Sequence, residues 1–364
     1  MNDEELYVTF VLPFNIHGND AASLLRVTRL FRLAFLRVFE AMKQEKNLSK
    51  IYLKKKYRPL AYEFLRNRRY SDGTIDLARS IILSAKALRV NLNDIEFKQW
   101  LLFQSEGEKG YGNKCISLRR DLSFAITVGK RKKVVVRPII PKKYAELLRR
   151  LYELKLPYYA RVVLRNFGER KGVLRIHGEI HLSIPAKMYY MLCGVKENRG
   201  KNFGGLDLNV DRMNLAIVNR GGELLDVKTF WFKYARMRPI NRKMVWTDIG
   251  EKIHEMLRYA YHHGVKVLFV ENPKVLGRLS VLWRIRGGRK SKDYNFIVNA
   301  FRVSILERTT LKAPLYGIII ESVNPKGTSS SDEHRRIKRK YGLDKHCASA
   351  YLIALRGLKQ NNMI

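Results

Sequence analysis

Gly204-Gly205-Leu206-Asp207-Leu208-Asn209-Val210-Asp211 is the stretch on which the fold turns. It opens residues 202–226, a run of short apolar-alternating segments broken by a Gly221-Gly222 turn signal. Asp207 lies between Leu206 and Leu208, so on a strand it faces the opposite side of the sheet from its apolar neighbours. A carboxylate there is costly unless it is hydrated, paired or bound to a metal. Taken alone, one Asp-x-Asn fits an edge strand facing water. Partners further along the chain decide otherwise.

Val265-Lys266-Val267-Leu268-Phe269-Val270 is a compact β-branched and aromatic run, most simply a central strand. It ends at Glu271-Asn272-Pro273, where the proline stops the ladder and leaves Glu271 at a carboxyl end. Asp344 precedes Ala348, Ala350, Tyr351, Leu352, Ile353, Ala354 and Leu355, a helical pattern, which makes it an N-cap or first-turn carboxylate. A carboxylate within a first strand, one ending a later strand and one opening a final helix is the layout of a two-metal site in an RNase H-like nuclease core. Three oxygen donors suit Mg²⁺ or Mn²⁺, and two such ions about 3.5–4 Å apart activate water and stabilise the leaving oxygen. The catalytic and metal-ligating candidates are therefore Asp207, Glu271 and Asp344.

Gly205-Leu206-Asp207-Leu208-Asn209-Val210, Phe269-Val270-Glu271-Asn272, Val323-Asn324-Pro325-Lys326-Gly327-Thr328-Ser329 and Asp344-Lys345-His346-Cys347-Ala348-Ser349-Ala350, in that order, resemble the RuvC-like core of TnpB proteins, transposon-encoded relatives of type V CRISPR effectors. The resemblance covers residues 202–358, and the N-terminal half in general layout. It implies an α/β architecture: an RNase H-like (RuvC-type) domain over residues 201–364, a wedge-like β-barrel over residues 1–20 and 108–200, and a helical recognition insertion over residues 21–107. It also implies a guide RNA and a target DNA as partners. TnpB proteins usually carry a four-Cys zinc ribbon before the last carboxylate; here residues 330–343 fill that gap without a cysteine. No structural zinc is expected, and efficient loading of the target strand is in doubt.

Composition agrees. The chain has 364 residues, 46% of them apolar, enough for two domains. Its 71 Lys and Arg against 33 Asp and Glu give a net charge of +38. That excess calls for a polyanionic partner, nucleic acid first. The sequence has no 18-residue apolar run, and its acidic start, Met1-Asn2-Asp3-Glu4-Glu5, lacks a signal peptide's basic region, so a cytoplasmic, nucleoid-associated protein without a membrane is expected, as a monomer or weak dimer. Cys115, Cys193 and Cys347 are too scattered for a disulfide framework.

The cations fall in clusters. Arg26, Arg29 and Arg37 share one sector of a helix spanning residues 21–42, where a solvated face and a phosphate contact are about equally served. Lys54, Lys55, Lys56, Arg66, Arg68 and Arg69 are interleaved with Tyr52, Tyr57, Tyr62, Phe64 and Tyr70, a composition suited to backbone tracking and base stacking, and also to a surface helix with inward aromatics. Ser71-Asp72-Gly73 reads as a break, and Leu6–Leu12 as a strand stopped by Pro13. Lys130, Arg131 and Lys132 form a hairpin tip, and Arg284, Arg286 and Arg289 lie in a basic loop beside Glu271. His177 and His181 share a strand face, too far apart for a metal pair. The reading is an RNA-guided, metal-dependent DNA endonuclease; a non-cleaving relative and another RNase H-fold transposase or resolvase are the alternatives.

Overall fold

A computed structural model describes residues 7–87, 90–234, 241–271, 283–285, 293–323 and 331–361, with the backbone alone at residues 87, 143, 242, 243, 283–285, 293–300 and 303. The chain divides into two compact units, Met1–Leu192 with Gly277–Gly288, and Cys193–Leu276 with Arg289–Ile364.

The first unit runs β1 (Tyr7–His17), α1 (Gly18–Met42), α2 (Lys50–Leu65), α3 (Arg68–Ala87), β2 (Ile95–Phe97), β3 (Leu101–Ser105), β4 (Ile116–Leu118), β5 (Phe124–Gly129), β6 (Lys132–Val136), α4 (Lys142–Glu153), β7 (Tyr159–Arg170), β8 (Val173–Pro185) and α5 (Ala186–Cys193) at its close. Then come β9 (Asn202–Leu208), β10 (Arg212–Val218), β11 (Leu224–Trp231), α6 (Arg242–His262), β12 (Val265–Glu271), β13 (Trp283–Ile285), α7 (Asp293–Lys312), β14 (Ile319–Val323), α8 (Asp332–Tyr341) and α9 (Lys345–Gln360). Of these, β13 pairs with β2 in the first unit.

In the first unit, β1, β8, β7 and β3 form a four-stranded sheet in that order, and β4, β5 and β6 a three-stranded one. These remain separate ladders, and no closed barrel forms among the described residues. Two sequence readings give way here. β1 continues through Pro13 to His17, because β8 is its one ladder partner among the described residues and an outer strand can turn the missing N–H out of the ladder, while the Pro13 carbonyl accepts from the Ile139 amide at 2.8 Å. α3 runs unbroken through Ser71-Asp72-Gly73. Ser71 Oγ donates to Asn67 O at 2.8 Å, Asp72 pairs with Arg58 at 2.6 Å, and a Cβ on Gly73 would lie 2.3 Å from Gln104 O. The glycine marks where the helix touches β3, not where it ends. β3 itself lies inside the span read as a helical insertion, yet pairs with β7.

The second unit is built on one five-stranded sheet, in the order β11-β10-β9-β12-β14. β9, β10 and β11 are an antiparallel meander, and β12 and β14 run parallel to β9. This mixed sheet agrees with the α/β architecture expected of the second half of the chain. Both faces are covered, so β9 is buried almost throughout rather than alternating. Leu206, Leu208, Met213, Leu215, Leu268 and Val270 share one core with Ile249, Ile253, Met256 and Leu257 of α6 and Ile305 of α7. Phe203, Ala216, Val267 and Phe269 share another with Ala350, Tyr351, Leu352, Ile353 and Ala354 of α9. By alternation Asp207, Asn214 and Glu271 belong to the α9 face.

The cysteine-free interval before Asp344 holds α8. Ser331 caps it by accepting from the His334 amide, and Gly342 ends it at φ +62°. His334 is buried with its Nε2 2.9 Å from Lys345 O, a packed core position.

Candidate active site

Asp207 comes to the α9 face as the penultimate residue of β9 and Glu271 as the last of β12. The two strands are parallel neighbours, Val270 lying opposite Leu206, so both carboxylates sit at carboxyl ends. That is where open α/β sheets place their ligands. Asp344 arrives separately, as the N-cap of α9.

Asp207 is buried, and its two oxygens have different partners. Oδ2 accepts from Asn209 Nδ2 at 2.7 Å and lies 3.0 Å from His346 Nδ1. Oδ1 lies 4.0 Å from Arg302 Nη2, which is also 3.6 Å from Glu271 Oε2. One guanidinium thus faces both carboxylates. Asp344 Oδ1 accepts the His346 amide at 2.8 Å and the Cys347 amide at 2.7 Å. Partial burial works against the Asp344 anion, but the Cys347 and His346 amides outweigh it and hold the carboxyl below its ordinary value. The helix N-terminus favours the same charge. His346 therefore joins two candidates, its backbone to Asp344 and its ring to Asp207.

A polar ladder lies beneath. Asn214 is opposite Asp207 on β10, and its Nδ2 donates to Thr229 Oγ1 of β11 at 2.7 Å and approaches Cys347 Sγ at 3.4 Å. Burial pushes the Cys347 thiol up, so it acts here as a neutral filler. Asn214 Oδ1 is buried without a protein partner.

Among the described residues no three His, Cys, Asp or Glu side chains come together as a metal-ligand cluster. Asp207 and Glu271 converge on Arg302, and His346 links Asp344 to Asp207. The donor set nevertheless fits a divalent cation of the magnesium type. Its atoms are hard carboxylate oxygens, and Mg²⁺ is usually held by one or two carboxylates, with water and substrate phosphates completing its shell.

The basic candidates separate by environment. Arg26 and Arg29 on α1 are exposed, as are Lys55, Arg66, Arg68, and the Lys130, Arg131 and Lys132 tip between β5 and β6. Lys54 is committed inward, 3.1 Å from both Asp76 and Glu106. Lys56 pairs with Glu45 at 2.7 Å and Arg69 with Glu108 at 2.5 Å. Arg284 is opposite Glu96 in the β13–β2 pair. Arg286, Arg289 and the segment 324–330 lie outside the described residues. His177 and His181 are sheet positions, bonded to Asn15 and Glu179 at 3.0 and 2.8 Å. Asn209 and His346 stand within the motifs of Asp207 and Asp344 but are not among the residues that the sequence marks as site candidates, and Arg302 joins the site only in three dimensions. Arg302 sits in a run of mixed apolar and polar residues, and no local signal marks it.

Residues 7–194 match the family described as the SSO2105 N-terminal domain. An uncharacterized protein of Aeropyrum pernix is 44% identical over 365 residues, covering 98% of this chain and 87% of that one. The uncharacterized protein SSO2105 of Saccharolobus solfataricus is 31% identical over 228 residues, 61% of this chain and 58% of that one. Among solved structures, a Cas12f1–sgRNA–target DNA complex aligns over 92% of this chain and 82% of that chain, at a TM-score of 0.47 and 12% identity. Thermus thermophilus RuvC with a Holliday junction substrate aligns over 44% of this chain and 95% of that chain, at a TM-score of 0.31 and 11% identity.

Proposed function

We propose that this chain, which belongs to the family defined by the SSO2105 N-terminal domain, is a nuclease with an RNase H-like core, and more narrowly an RNA-guided DNA endonuclease of the TnpB type. The observation that carries the proposal is the pairing of Asp207 and Glu271 at the carboxyl ends of two adjacent parallel strands. Asp344 at the α9 N-cap supplies the third carboxylate of the proposed site.

Asp207, Glu271 and Asp344 would hold Mg²⁺ or Mn²⁺. A bound cation of this kind lowers the pKa of water and stabilises the leaving oxygen as a phosphodiester is hydrolysed. The chain's own groups set the stage for that chemistry. Asn209 and His346 fix the Asp207 carboxylate by one oxygen, leaving the other toward Arg302. The α9 amides keep Asp344 ionised, and the sheet beneath excludes water from the buried end of Asp207.

The net charge of +38 supports a large polyanionic partner. The first unit, which we read as the wedge-like and recognition part, would contact a structured RNA through its exposed cations. These are Arg26, Arg29, Lys55, Arg66, Arg68 and the Lys130–Lys132 tip. Lys54, Lys56 and Arg69 would contribute chiefly by holding α2 and α3 to their acidic neighbours.

The test is cleavage of DNA by the full chain in Mg²⁺ and in EDTA, beside Asp207→Asn and Glu271→Gln. We expect both variants and EDTA to abolish cutting while nucleic-acid binding survives. Cutting by Asp207→Asn at the wild-type rate would overturn the reading.

A further inference from the structure

Arg302 stands apart from the residues that hold Asp207 in place. It is on α7, with its side chain one-third exposed, and its Nη2 is 3.6 Å from Glu271 Oε2 and 4.0 Å from Asp207 Oδ1. Its helix is firmly seated: Ile305 is fully buried, the Phe301 ring lies 5.0 Å from that of Trp246, and Arg308 covers the same Trp246 ring at 4.6 Å. The guanidinium is thus delivered to the carboxylates by packing.

The guanidinium is a planar cation that can face two carboxylates at once. It stands in the field of the two carboxylates that a divalent cation would use, and it shares no oxygen with the Asn209–His346 clasp. Withdrawing Arg302 therefore leaves the geometry of Asp207 in place and changes only its electrostatic partner. A divalent cation and a guanidinium repel each other, and each gains from the same two oxygens.

We infer that Arg302 is a resident counter-cation that competes with the divalent metal for Asp207 and Glu271 and so weakens the metal affinity of the site. This inference rests on the reading of Asp207 and Glu271 as metal ligands. Arg302 is a positioning residue in this scheme: it acts through the carboxylates. The linkage is reciprocal, so metal binding must release the guanidinium by the same factor that the guanidinium weakens metal binding.

The experiment is a titration of the full chain with Mn²⁺, free metal being followed by electron paramagnetic resonance, for wild type, Arg302→Met, Arg302→Lys and Asp207→Asn. Circular dichroism checks that each is folded. Arg302→Met keeps an apolar stem and loses the charge. It should bind Mn²⁺ about tenfold more tightly, within the roughly 5- to 150-fold range of ordinary site-to-site coupling. Arg302→Lys retains a cation and should stay nearer wild type. If Arg302→Met does not fold, Arg302→Gln carries the same expectation. Equal or weaker Mn²⁺ binding by a folded, uncharged variant overturns the inference and leaves the metal-site reading standing. Wild-type affinity in Asp207→Asn puts the metal elsewhere and overturns both.

Discussion

Gly205→Ala probes how α9 reaches the site. Gly205 lies on β9 directly against the backbone of α9. A Cβ there would sit 2.0 Å from Ala350 O, 2.5 Å from Ala354 N and 2.9 Å from Ala354 Cβ. Two of these atoms are helix backbone, so no side-chain rotation relieves the clash. Restoring ordinary contact, which begins near 3.4 Å, requires α9 to retreat by about 1.4 Å from a 2.0 Å approach. Overpacking of this kind costs about 1–3 kcal/mol, and the absence of a rotamer escape places Gly205→Ala at the upper end. The same retreat moves His346 and Asp344, which ride on the first turn of α9. A His346–Asp207 contact of 3.0 Å, lengthened by about 1.4 Å, is no longer a hydrogen bond. Urea unfolding should therefore show a drop in stability of about 3 kcal/mol. Cleavage, measured where the variant is still folded, should fall more than the folded fraction accounts for. An unchanged unfolding midpoint together with wild-type cleavage would refute the claim that the bare backbone of Gly205 seats α9.

Asp344→Asn keeps an N-cap oxygen and should leave stability within a few tenths of a kcal/mol, whereas Asp344→Ala should lose about 0.5–2 kcal/mol; both should lose cleavage, as urea curves and a nicking assay will show. At the Lys50–Lys54–Glu106 cluster, burial opposes the Glu106 anion, but the Tyr159 hydroxyl and the two lysines prevail and hold it at about 2. Its stabilisation is thus fully present above the usual glutamate range and lost as pH falls from about 4.5 towards 2, whereas its deeper neighbour Asp76 is raised by burial and does not share this acid lability. After discounting for partial exposure, Glu106→Gln should remove about 1–2 kcal/mol of the acid-labile stability, read as a flatter unfolding midpoint between those pH values. Reversing Lys130, Arg131 and Lys132 to Glu should lower the log–log salt slope of RNA binding by about 0.7–0.9 for each phosphate that is no longer neutralised, with urea stability unaltered because the tip is exposed.

The second unit is the more legible half. Alternation around Asp207, the compact β-branched run ending at Glu271 and the helical spacing after Asp344 are local signals, and each is the element that its pattern implies. What cannot be read is what those elements do to each other. Gly205 lies inside a strand run and Gly357 inside a helical run with nothing in the sequence to say what they touch, yet a Cβ on Gly357 would lie 2.1 Å from the Phe269 ring, and only the packed sheet reveals that seam. Pro13 and Gly73 look like breaks by local chemistry, but an outer strand tolerates the first and a close helix–strand contact requires the second. Lys54 looks like one cation among many. Its partners Asp76 and Glu106 are 22 and 52 positions away, beyond any local window. Arg302 is hidden for the same reason, 95 residues from Asp207.

The central claim is guidance by RNA of a carboxylate-dependent cut. Its most direct measurement expresses the full chain with its native flanking sequence, purifies it with the RNA it retains, and maps DNA cleavage in Mg²⁺ before and after RNase treatment. Cuts are expected at sites complementary to the retained RNA, lost on RNase treatment, restored by adding that RNA back, and absent with Asp207→Asn. Cutting at the same sites and rate by RNase-treated protein would contradict the claim and make a guide-independent nuclease of the same fold the better description.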